Sequence, residues 1–161
     1  MKKEHDLDKL KLDYEKLRRK YDLPSFKDMN EDFSIERVAE VETDLLMREI
    51  RKMVADRLYN YLRFIEGILN PTNAPMFVFS IIKALGKEEK DKFSEMYKKL
   101  AKMEIVLFEI DVDFSEEKES EFIKDSYNLW QEIKKEAIEI IGVVKKNWDN
   151  KSEVRGKDYF G

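Results

Sequence analysis

The sequence contains no cysteine and a single histidine, His5, close to the N-terminus. Without cysteine it has no disulfide, no thiolate zinc ligand and no cysteine nucleophile. Because His5 lies so close to the N-terminus, it is not a plausible base for a Ser-His-Asp triad. A single histidine also cannot supply the two Glu-x-x-His motifs of ferritin-like di-metal bundles. We therefore predict no catalytic residue, no metal site and no cofactor. The lack of cysteine suits a reducing cytoplasm, where we expect the protein to reside.

Glycine and proline are scarce, at five and three residues, so we expect long elements with few breaks. The glycines form no glycine-rich phosphate loop. Behind the basic residues at the N-terminus there is no apolar stretch, so we expect no secretory signal.

Two acidic patterns invite a metal interpretation, and neither holds. The segment that begins at Asp111 fails as an EF-hand calcium loop, because position 6 is Glu116 instead of glycine and position 12 is Phe122 instead of glutamate. Helical nucleotide pyrophosphohydrolases hold magnesium with a Glu-x-x-Glu motif followed later in the chain by Glu-x-x-Asp. The fragments "EAIE" (136–139) and "EEKD" (88–91) match these two motifs, but in this sequence the Glu-x-x-Asp fragment comes first. A carboxylate-metal-dependent hydrolase is the third and least favoured hypothesis.

Charged residues are abundant and unevenly distributed. The net charge is −4, and the bias towards Lys and Glu suits a thermophile. Segment 104–121 holds eight acids against Lys118 alone, a net charge of −7. An acidic chain is not typical of a general nucleic-acid binder. The basic cluster Arg48, Arg51 and Lys52 is the candidate phosphate patch.

The N-terminal 33 residues predict an amphipathic helix followed by an apolar strap. Between His5 and Asp22, apolar residues at 3-4-3-4 spacing form a heptad seam, which is typical of a short amphipathic helix that packs on the rest of the chain, on a second copy or on a partner. The seam consists of Leu7, Leu10, Tyr14, Leu17 and Tyr21. Pro24 ends this helix. The strap that follows has a helical turn after Ser25, and its apolar anchors are Leu23, Phe26, Met29 and Phe33.

A helix of about 35 residues is predicted from Ser34 to Leu69, with Ser34 as its N-cap and Phe33 and Val38 as a hydrophobic staple. The apolar stripe shifts at Thr43–Asp44, which predicts a kink there.

The segment "NPTNAPMFVFSIIKALG" (70–86) carries one charge, Lys83. It predicts a helix of about eleven residues between Pro75 and Gly86, too short for the roughly 20 residues that cross a bilayer. Because it is apolar nearly all round, we expect a central core helix. A surface groove that receives a partner is the alternative, and we expect no membrane contact.

The C-terminal half predicts two more helices, 88–109 and from Asp113 or Ser115 to about 150. Between them, apolar and acidic residues alternate over 108–114, which predicts an extended segment. The tail 150–161 is predicted to be loose. Its Tyr159 and Phe160 match a sliding-clamp-binding peptide poorly.

These patterns predict an all-α helical bundle over 34–149, with 1–33 as an N-terminal appendage and 150–161 as a flexible tail. The leading functional hypothesis is a non-catalytic interaction or assembly module, which binds another protein chain or a second copy of itself through the heptad seam (Leu7, Leu10, Tyr14, Leu17 and Tyr21). A homodimer is one such assembly. The alternative is an accessory factor of nucleic-acid machinery that contacts phosphate through Arg48, Arg51 and Lys52.

Overall fold

The computed structural model describes the backbone of residues 2–160 and the side chains of residues 5–148. Six α-helices and one 3₁₀ helix form this part of the chain, and no strand occurs in it. The predicted all-α class and helical-bundle architecture are therefore confirmed. In chain order the elements are α1 (Lys2–Tyr21), α2 (Phe26–Phe33), the 3₁₀ helix (Ile35–Glu40), α3 (Leu46–Leu69), α4 (Met76–Ala84), α5 (Lys87–Val112) and α6 (Glu116–Phe160).

The chain divides into two compact units. The first comprises Met1–Tyr59 and Lys102–Trp130, and the second comprises Asn60–Ala101 and Gln131–Gly161. Helices α3, α5 and α6 each contribute one part to the first unit and the other part to the second. The predicted loose tail, 150–161, lies outside the described side chains.

In the first unit, α1 packs on the 3₁₀ helix and on α2. Tyr14 is fully buried, and its ring meets Phe26 edge to face, with centroids 5.6 Å apart. Its hydroxyl donates a hydrogen bond to the carbonyl oxygen of Pro24 at 2.7 Å. Of the packing partners that the sequence left open for α1, the helix therefore uses the rest of its own chain, and it supplies part of the core of this unit.

The predicted helical turn after Ser25 is confirmed and extends to the eight residues of α2. The Ser25 hydroxyl accepts a hydrogen bond from the backbone N–H of Asp28 at 3.1 Å and so caps the helix. The anchors Met29 and Phe33 are buried, as is Leu23. The segment is thus an ordered part of the first unit.

The predicted helix from Ser34 to Leu69 is wrong in its first third. Ser34 has a left-handed backbone conformation (φ 55°) and ends α2, and its side chain makes no capping hydrogen bond to the 3₁₀ helix that follows. The side chain of Asn30 bonds both the backbone N–H and the carboxylate of Glu36, each at 2.9 Å, which holds the following 3₁₀ turn in place. The α-helix begins only at Leu46, after Thr43 Oγ1 has accepted a hydrogen bond from the Leu45 N–H. The non-helical segment between the 3₁₀ helix and α3 includes Thr43 and Asp44, where the apolar stripe shifts in the sequence.

The predicted extended segment at 108–114 is also wrong, because α5 continues to Val112. Of the apolar residues in this segment, Ile110 is buried while Phe108 and Val112 are exposed. The alternating pattern therefore does not reflect one buried face.

The second unit is built from the later part of α3, α4, the first part of α5 and the later part of α6. Phe64 on α3 meets Phe93 on α5 edge to face at 6.5 Å. Lys99 on α5 pairs with Glu132 on α6 at 3.0 Å, so an exposed ion pair joins these two helices. Asn147 donates a hydrogen bond to the carbonyl oxygen of Ala84 at 3.1 Å, which fixes the C-terminal end of α4 against α6.

Candidate functional site

Helix α4 is apolar on nearly all sides, and its apolar side chains are only partly covered. Val78, Ile81 and Ala84 are buried. Three other large apolar side chains, in its first four residues, are exposed, and we call them the α4 surface: Met76 (75% exposed), Phe77 (60%) and Phe79 (36%). The expectation of a core helix walled in on all sides is therefore wrong, because the N-terminal part of the apolar segment is open.

The segment that carries the α4 surface contains two lysines and is followed directly by two acids, Glu88 and Glu89. Residues 70–87 contain Lys83 and Lys87 and no acidic residue. The N-cap is Pro75, which has no side-chain acceptor, so the positive end of the helix dipole is not neutralised by its own cap. Met76 and Phe77 stand in that first turn.

A second exposed apolar surface lies near the C-terminal end of α5, in the first unit. Ile105, Phe108 and Val112, spaced i, i+3 and i+7, share one face of the helix and are 67%, 67% and 89% exposed. We call them the α5 stripe. Glu104 and Glu109 flank it on its two sides. Burial raises the pKa of Glu104.

The predicted heptad seam is largely used inside the first unit. Leu10 and Tyr14 are buried, and Leu7 and Leu17 are half-buried. The Tyr21 hydroxyl donates a hydrogen bond to Glu116 Oε1 at 2.5 Å, and this bond lowers the pKa of Glu116. The seam therefore serves contacts within the chain, and the exposed apolar side chains lie elsewhere.

The basic cluster faces carboxylates of its own chain. Arg48 and Arg51 approach Glu119 Oε1 through their Nε atoms at 3.7 and 3.8 Å, and Lys52 pairs with Glu49 at 3.0 Å. The Glu119 side chain is fully buried, and that of Arg51 is 10% exposed. Burial raises the pKa of Glu119 and outweighs the opposing effect of Arg51 and Arg48. Phosphate would have to displace Glu119 to reach Arg51.

Two of the four motif carboxylates in the "EAIE" and "EEKD" fragments, Glu88 and Glu139, pair with the same lysine. Lys92 lies 3.5 Å from Glu88 and 3.7 Å from Glu139. Among the side chains of residues 5–148, no group of three or more His, Asp or Glu residues is arranged to hold a metal ion. Within the described part of the chain, no helix is both long enough and apolar enough to span a bilayer.

A cleft of about 520 Å³ opens in the first unit between α1 and the segment that joins the 3₁₀ helix to α3. Its carboxylates are Asp6, Asp13, Glu40, Glu42 and Asp44, and Lys9 is the one basic residue of its lining among the described side chains. Ligand pockets usually have mainly apolar walls and a few polar groups. Polar and charged residues predominate in the lining of this cleft. We therefore place the candidate site on the α4 surface and the α5 stripe.

The α4 surface corresponds to the alternative interpretation of the sequence, whereas the α5 stripe was missed. The signal for the stripe was present as the i, i+3, i+7 spacing of Ile105, Phe108 and Val112 inside a helical pattern. No protein-family model, curated protein or solved structure matches the chain significantly.

Proposed function

We propose that the protein is a non-catalytic protein–protein interaction module and that the α4 surface is its main contact site. Exposed apolar residues scattered singly need no explanation, but a cluster of large ones is typical of an interaction surface. Met76 and Phe77 are adjacent in the first turn of α4, and Phe79 is two residues further on. This cluster carries the proposal.

Helix α4 is fixed in a way that suits presentation of these side chains. Its inner face is buried through Val78, Ile81 and Ala84, and its C-terminal end is held by Asn147. A preorganised apolar side chain loses little conformational entropy on binding. Aromatic side chains at the centre of a contact are the usual hot spots. We therefore expect Phe77 to contribute more than its neighbours.

A photo-crosslinking amino acid at position 77, introduced into the chain in its native cells, tests the proposal. We expect a discrete adduct of higher mass on irradiation, because a bound partner covers this position. The matched control replaces Asp91, an exposed residue of α5 in the same unit, and should give no adduct. Equal, background-level crosslinking at both positions would refute an interaction role for α4.

A further inference from the structure

We infer that Asn147 is the positioning residue of the α4 surface, because its hydrogen bond to Ala84 sets where α4 lies along its own axis and so keeps Phe77 outside the core. The inference rests on the proposed function and adds to it what holds the contact site in place. Asn147 Nδ2 donates to the carbonyl oxygen of Ala84 at 3.1 Å. Ala84 is the last residue of α4, where backbone carbonyls have no partner within their own helix.

Apolar burial alone does not fix α4 along its axis. Phe77, Ile81 and Ala84 stand at i, i+4 and i+7 and therefore share one side of the helix. Along this row the exposed fraction falls from 60% to 8% and then to 1%. The hydrophobic effect is non-directional, so it gives no reason why Ile81 and Ala84, and not Phe77, are the buried members of the row. A hydrogen bond at one end of the helix is directional and supplies that reason.

The attachment of α4 is concentrated towards its C-terminal end. The opposite end follows Pro75, which makes no side-chain cap, and Met76 there is 75% exposed. The helix has nine residues, and a helix of this length is not stable alone in water. Its position therefore depends on the contacts near Ala84.

The place of Asn147 on α6 suits this role. Three α6 side chains, spaced about two turns apart and so on one side of the helix, meet α5 and α4 in reverse chain order. The contacts are those of Glu132 with Lys99 at 3.0 Å, of Glu139 with Lys92 at 3.7 Å and of Asn147 with the Ala84 carbonyl oxygen at 3.1 Å. The side of α6 that runs along α5 thus continues to the end of α4. The two ion pairs are exposed and contribute little, whereas Asn147 is half-buried.

Because the sequence has no cysteine, two introduced thiols can carry spin labels that measure the position of α4. One label replaces Lys83 on α4 and the other replaces Lys135 on α6, both exposed and in the same unit. With Asn147 present we expect one narrow distance distribution. Asn147→Leu removes the donor, which raises the equilibrium constant for displaced positions about 5- to 10-fold. The isosteric Asn147→Asp also sets a carboxylate against the Ala84 carbonyl oxygen. A population displaced by about one turn, or about 5 Å, should appear in both variants and be larger in Asn147→Asp.

Binding should follow the position of α4. Asn147→Asp should lose most of the adduct that the crosslinker at position 77 forms. Asn147→Gln keeps a donor and should retain both the adduct and the wild-type distance distribution. Lys146→Gln, at the exposed neighbouring position, is the matched control and should behave as the wild type does. Circular dichroism confirms that each variant keeps its helices.

A wild-type distance distribution in both Asn147→Leu and Asn147→Asp would overturn the inference. An undiminished adduct in a variant whose distribution has shifted would overturn it as well. Either result leaves the proposed function standing, because the wild-type chain still forms its adduct at position 77. If the wild-type chain forms no adduct there, the proposed function itself fails, whatever the distances are.

Discussion

Tyr14→Ala is expected to lower the free energy of unfolding by about 3–5 kcal/mol, the usual cost of truncating a buried aromatic residue. Tyr14 is fully buried and packs against Phe26, and its hydroxyl satisfies the carbonyl oxygen of Pro24 at 2.7 Å. The substitution would remove the ring, leave a cavity and orphan that carbonyl. Chemical denaturation monitored by circular dichroism measures the effect.

Two further variants separate the contributions of Tyr14. Tyr14→Phe keeps the ring and removes the hydrogen bond, so we expect a loss of about 1–1.5 kcal/mol. Leu12→Ala, at an exposed position on the same helix, should change the stability by less than about 0.5 kcal/mol. If Tyr14→Ala left stability unchanged and instead reduced binding to a partner, the heptad seam would be the contact surface after all.

Arg51→Met should destabilise the protein by about 3 kcal/mol or more at high pH, because it leaves the carboxylate of Glu119 buried with less compensation. The Glu119 side chain has no exposed surface, and Arg51 is its more deeply buried partner. The double variant Arg51→Met/Glu119→Leu should recover most of the loss, since it removes both buried charges. Lys52→Met is the matched neighbour, and its exposed pair with Glu49 should contribute less than about 0.5 kcal/mol.

The pH dependence of this cluster has a definite sign. Burial raises the pKa of Glu119 above its usual value despite Arg51 and Arg48, with Glu116 acting in the same direction as burial. The folded state therefore binds this proton more tightly than the unfolded state does. The stability that Glu119 contributes is present below its unfolded pKa and is lost as the pH rises through its folded pKa. Relative to the wild type, Glu119→Gln should become more stable as the pH is raised from about 4 to about 8.

These variants also discriminate between a structural and a phosphate-binding role. If Arg51 contacts nucleic acid, Arg51→Met would reduce salt-sensitive binding and leave the stability unaltered. A pH-independent difference between Glu119→Gln and the wild type would show that Glu119 is solvated in solution.

The sequence predicted the features that depend on local chemistry. The helical turn after Ser25, the stop at Pro24 and the buried anchors Met29 and Phe33 all follow from residue type and spacing. The break between Ser34 and Leu46 did not, because it depends on a side-chain bridge from Asn30 to Glu36. Single-residue cap preferences do not reveal such a bridge.

The other two errors share a physical cause. Periodicity arguments assume that apolar residues are buried, and this assumption fails at an exposed apolar surface. Phe108 and Val112 produced a false strand pattern, and Met76, Phe77 and Phe79 made α4 resemble a core helix. The same residues form the two candidate contact surfaces. The sequence pattern was therefore misleading where apolar side chains face solvent instead of the core.

The exposure of the α4 surface is the central claim, and the natural absence of cysteine allows a direct measurement. In the variants Phe77→Cys and Ile81→Cys, the rate of thiol alkylation in dilute native protein is compared with the rate in denaturant. The thiol introduced at position 77 should react nearly as fast as in the unfolded chain. Position 81 lies one turn further along the same helix, and its native side chain is buried. The thiol introduced there should react at least about 100-fold more slowly, because it requires local opening. Equal protection at both positions would mean that α4 is enclosed on all sides, and the proposed contact surface would not exist.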